Sequence, residues 1–86
     1  MTQTPKLTMA NAHRAVIFVA RHNNTLMAEF AKSGNPAVRK AAEHMSYLAG
    51  MADQETVRQR ETADDVLYYL PMPQIEDCLR AYELGR

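Results

Sequence analysis

The sequence predicts an all-α domain, and three observations carry that prediction. The first is Ser33-Gly34-Asn35-Pro36, which ends one helix and starts another. Glycine suits the left-handed position after a helix, asparagine is a good N-cap, and proline fits the first helical position, where its missing N–H costs nothing. The second is the run Val38, Ala41, Met45, Leu48 and Ala52, whose spacings of three and four make a helical seam. The third is the shortage of strands. Only Ala15–Ala20 and Val66–Leu70 favour extended backbone, and two strands make a poor sheet.

The elements follow in chain order. Residues 1–7 are polar, contain Pro5 and read as an N-terminal tail, leaving 8–86 as a single domain, which suits a chain of 86 residues. Thr8 is the expected N-cap of a first helix over about 8–33. A second helix over about 36–60 folds back on it as an antiparallel hairpin. Gly50 lowers helix propensity there by roughly 1 kcal/mol against alanine. From Asp53 to Asp65 the apolar pattern fades, and Thr62-Ala63-Asp64-Asp65 reads either as solvated helix or as the cap and acidic first turn of a new one. Pro71-Met72-Pro73 is a stop, because a residue before proline, here Leu70, is steered away from helical geometry. A last helix from about Pro73 to Leu84 buries Ile75, Cys78, Leu79 and Tyr82. The expected architecture is therefore the hairpin plus one or two short C-terminal helices, as a helical-bundle dimer. Oligomerisation is expected because a chain this short buries a modest core and has no disulfide to staple it.

One feature of the first helix resists a simple amphipathic pattern. Between the apolar run Ala15–Ala20 and Leu26-Met27 lies the polar stretch Arg21-His22-Asn23-Asn24-Thr25. Ala12, Val16, Val19, Asn23, Leu26 and Phe30 follow a heptad, which puts Asn23 on the core seam of one continuous helix. Folding the hairpin at residues 33–36 then sets His22, Asn23 and Thr25 opposite Tyr47, Ser46 and His44 as a buried polar layer. Such a layer fixes register at some cost in stability, so leucine at Asn23 would raise stability and blur the oligomeric state. The functional alternative is a small polar pocket.

Net charge is zero but polarised. Residues 1–40 carry six cations and one carboxylate, a net +5, and residues 41–86 carry four cations and nine carboxylates, a net −5. The simplest meaning is that the halves face each other, within or between chains. A sharper one is an anion site built from Arg14, Arg21, Arg39 and Lys40 that contacts nucleic acid or a nucleotide. A helix-turn-helix over Thr62–Leu84 is disfavoured, because its second helix would present Glu76 and Asp77 to the phosphates.

Few residues invite chemistry. His13, His22 and His44 lack metal-ligand spacing, and Cys78 lies on an apolar stripe as a core thiol. No glycine-rich loop exists among three scattered glycines. No enzyme activity, metal or cofactor is expected. A lone cysteine fits a reducing compartment and places the chain in the cytoplasm. The six-residue run Ala15–Ala20 is far short of a membrane span, and no leader or transit pattern stands out. The surface best suited to a partner is Tyr68, Tyr69, Leu70 and Met72, held stiff by two prolines. The residues thus favour a small protein-binding regulator, inhibitor or adaptor, with the anion-binding module as the alternative.

Overall fold

Five helices make up the described part of the chain: α1 (Met9–His22), α2 (Asn24–Ala31), α3 (Pro36–Ala49), α4 (Thr56–Tyr69) and α5 (Met72–Gly85). The structure is a computed structural model and describes residues 9–51 and 56–85. The expected tail, the Thr8 cap and Ala52 lie outside the described residues. No strand occurs among the described residues. The molecule measures 35 × 32 × 21 Å, so its thin dimension holds two helix layers.

The core is built on α1, which packs against every other helix. Ala15, Val16 and Val19 on α1 have no exposed surface, and Val38, Met45 and Leu48 of α3, Val66 of α4 and Leu79 of α5 close over them. Each such large side chain contributes roughly 1.5–3 kcal/mol of burial. The partners of α1 divide by position: α5 lies along it most extensively, while α4 leans chiefly on α3.

The first expected helix is interrupted at one residue. Asn23 leaves the helical region at φ −125°, ψ 80°, and its side-chain oxygen accepts the Leu26 N–H at 3.0 Å. Asn23 is therefore the N-cap of α2, not a seam residue of one long helix. The backbone ladder still crosses the break, since Asn23 N–H donates to the Val19 carbonyl and Met27 N–H donates to that of Asn23. The change of direction brings α2 onto α3 and Phe30 into the common core. Heptad counting missed this because it scores positions, whereas a short amide side chain gains more by satisfying an orphan N–H than by lying in a seam.

The turn into α3 has the expected cap. Asn35 Oδ1 accepts the Ala37 N–H at 2.9 Å, and Pro36 opens the helix. Gly34, however, is not left-handed; no glycine among the described residues has positive φ. The C-cap of α2 falls earlier, at Lys32, whose N–H bonds the Ala28 carbonyl.

The second expected helix also stops short, at Ala49 rather than near 60. Gly50 and Met51 donate to the carbonyls of Tyr47 and Leu48, each three residues back, which tightens the last turn. Arg21 Nη2 donates to the Met51 carbonyl and so ties the end of α3 to the end of α1. Beyond it, α4 is unbroken through Thr62–Asp65, so no new helix starts there. Its buried stripe is only Gln59, Ala63 and Val66. That narrow stripe is why its apolar pattern is faint: α4 is held by α3 and α1 rather than by a wide hydrophobic face of its own. Pro71 then separates α4 from α5, and its carbonyl accepts from both Gln74 and Ile75.

Two stability measurements test this description. Asn23→Leu should lower unfolding free energy in urea by about 1 kcal/mol, the loss of a cap and the opposite sign to a seam residue. Leu79→Ala should cost about 2–5 kcal/mol in the same assay, because Leu79 is 1% exposed in the contact between α5 and α1.

Candidate functional site

The clearest surface feature is a row of rings shared by α3 and α4. His44 and Tyr47 sit three residues apart on α3, hence on one face, with centroids 5.8 Å apart at 89°. His44 stacks on Tyr69 at 5.5 Å and 10°. Tyr69 meets Tyr68 edge-on at 5.1 Å. The four rings form one continuous strip.

Exposure along the strip is graded. Consecutive residues on a helix diverge, so Tyr69 turns inward onto His44 while Tyr68 turns out and is 82% exposed. Tyr47 at 52% ends the α3 side, and its hydroxyl donates to Glu43 at 3.4 Å. Met72, 49% exposed, follows beyond Pro71. Leu70 is buried at 4% and belongs to the core, so it offers nothing to a partner.

The expected polar layer is not buried as a unit. His22, Thr25, Ser46 and Tyr47 are exposed, and Asn23 and His44 are half-buried. The break at Asn23 accounts for this, because it ends the register that paired the two helices. Ser46 instead donates back to the Glu43 carbonyl. His44 and Tyr47 belong to the aromatic strip, a role that their three-residue spacing could have signalled.

His22, Asn23 and Thr25 line one wall of an open cleft of about 600 Å³ against α5. Phe18 forms part of it, its ring 5.2 Å from His22 and 5.6 Å from Tyr82. A Cβ at Gly85 would meet the far edge of that ring, so a larger residue there would require the Phe18 side chain to shift. The cleft carries both signs of charge, with Glu29 and Asp77 beside Arg80, and Arg80 is already near Glu76 and Asp77 at 4.0 and 3.8 Å.

The basic residues of the N-terminal half have separate positions. Arg21 binds the Met51 carbonyl. Arg39 Nη1 donates to the Ser33 carbonyl at 2.7 Å, across the turn between α2 and α3. Lys40 pairs with Glu43 at 3.8 Å. Arg14 lines a different groove, between α1 and α4.

Cys78 is fully buried, and its thiol is pushed up from 9.0 to about 12. Burial is the main cause and the neighbouring Asp77 charge adds to it. A thiol held neutral in this way is no nucleophile at ordinary pH. Among the described residues no three His, Cys, Asp or Glu side chains gather to hold a metal ion, and no helix is long and apolar enough to cross a membrane.

No family model matches the chain, and neither does any curated protein or solved structure compared with it.

The Cys78 environment predicts reactivity and pH dependence together. Alkylation at mildly alkaline pH should be far slower in the folded protein than in urea. Because the folded thiol keeps its proton to about pH 12 while an ordinary one loses it near 9.0, this stabilising contribution is whole below pH 9 and shrinks as pH rises toward 12. A Cys78→Ala protein should lack that part of the alkaline loss in stability.

Proposed function

We propose that this chain is a small non-enzymatic interaction protein that acts as a homodimer by binding a partner protein. The observation that carries the reading is the exposed aromatic strip with Met72 beside it. Water gains nothing from Tyr68 at 82% exposure, and tyrosine and methionine are the side chains favoured at the centres of protein interfaces. The rings are also braced against one another, so little side-chain freedom is lost on docking.

The dimer contact in this reading is the α2–α3 hairpin. A shallow groove along it is lined by Ala28, Ala31 and Ala42, small side chains that let another helix approach closely, with Met27 beside them and Arg39, Glu43 and Ser46 as its polar edge. The strip and the groove use different residues, so partner binding and self-association are compatible. A regulator, inhibitor or adaptor in the cytoplasm would need no more than these two surfaces.

Two measurements test it. Light scattering should give twice the 9.7 kDa chain mass, unchanged between low and high salt; a monomer would remove the dimer from the proposal. A partner retained on immobilised protein from an extract of the producing cell should be lost on Tyr68→Ser or Met72→Ser, and should survive high salt. Both positions are exposed, so circular dichroism should be unchanged. Retention that is equal in wild type and variants would rule the strip out.

A further inference from the structure

The groove between α1 and α4 has a character that the aromatic strip does not explain. It measures about 500 Å³ and is lined by His13, Arg14 and Ile17 of α1 and by Thr56, Gln59 and Arg60 of α4. No carboxylate lines it among the described residues. His13, which lines the groove, bonds Asp64 of α4. Arg14 and Arg60 make no ion pair or hydrogen bond within the described chain.

Arg14 and Arg60 are exposed on facing helices and line the same groove, whose described lining is therefore net positive. We infer that this groove is a binding site for a small phosphate-bearing ligand, with Arg14 and Arg60 gripping the phosphate from opposite helices. Guanidinium groups suit phosphate because their planar donors bond it in pairs. Ile17 supplies an apolar wall beside the charged end, where the organic part of a phosphate ester would rest. The groove volume falls within the range of small-molecule sites.

A nucleic acid is a poorer fit. It would need a track of cations, and Arg21, Arg39 and Lys40 do not extend this one. Arg39 lines the α2–α3 groove instead and bonds the Ser33 carbonyl. Arg21 is tied to Met51 and Lys40 lies by Glu43. The ligand site is therefore local, and it is separate from the strip that the proposed partner would use.

The test is calorimetric titration of the full chain with sodium pyrophosphate at low salt, with amide NMR shifts followed in parallel. Pyrophosphate should bind, weaken with added salt, and move the signals of Ile17 and Gln59. Arg14→Gln and Arg60→Gln should each lower affinity about ten- to hundredfold, the effect of one lost hydrogen bond between charged groups. Arg39→Gln should leave it unchanged. Both cleft arginines are exposed, so the variants should fold, and circular dichroism checks that they do. Absence of heat and of shifts would overturn the inference, as would shifts confined to other grooves. So would binding of a short RNA that weakens on Arg39→Gln while pyrophosphate has no effect. If Arg14→Gln and Arg60→Gln instead lowered the melting temperature with no ligand binding, the pair would serve the fold.

Discussion

The constraint on which the structure depends is that α1 must be apolar on several sides and slim enough to be surrounded. Ala12, Ala15 and Ala20 supply the slimness, and Val16 and Val19 supply bulk where neighbours meet. Four other helices then find contact on one element. Short helices have little stability alone, so the others depend on the surface that α1 offers and, for α2 and α4, on α3 as well. The polar ends of α1 are secured separately, by His13 to Asp64 and by Arg21 to Met51.

Most of this architecture was legible in the sequence, because it rests on local chemistry. Asn35 and Pro36 opened α3 as such residues do, and Pro71 separated the last two helices. Ile75, Cys78 and Leu79 are buried on α5, as their spacing implied, whereas Tyr82, expected with them, is only half-buried. The errors arose where local pattern and tertiary context diverge. Asn23 fits a heptad by position, but its side chain is a capping group, and Asn24 and Thr25 beside it lie exposed once the chain turns. At Thr62 the sequence left a cap and a mid-helix position both open, and the residue sits within α4, which packs against α3. Ring neighbours such as His44 and Tyr69 are far apart in sequence, so no periodicity could join them.

The surfaces of interest concentrate on α4 for a physical reason. This helix commits only Gln59, Ala63 and Val66 to the core. Leu67 and Tyr69 pack against the core from its edge, and the exposed positions remain for Arg60 on one side and Tyr68 on another. Sequence reading found the tyrosines through their company with proline and methionine. It missed Arg60, because nothing in the chain order brings residue 60 toward Arg14.

The joining of α1 to α5 has a consequence for how the molecule comes to be folded. Among the described helices, α1 finds its most extensive neighbour in α5, the element farthest from it in chain order. Contacts between distant parts of a chain form slowly, because the loop between them must be closed first. Chains are made from the N-terminus, so α2, α3 and α4 precede α5, and the side of α1 that α5 covers is the last of its contacts to become available. That apolar face can be closed only once α5 has been made, so the core is completed by the described element most distant from α1 in the chain.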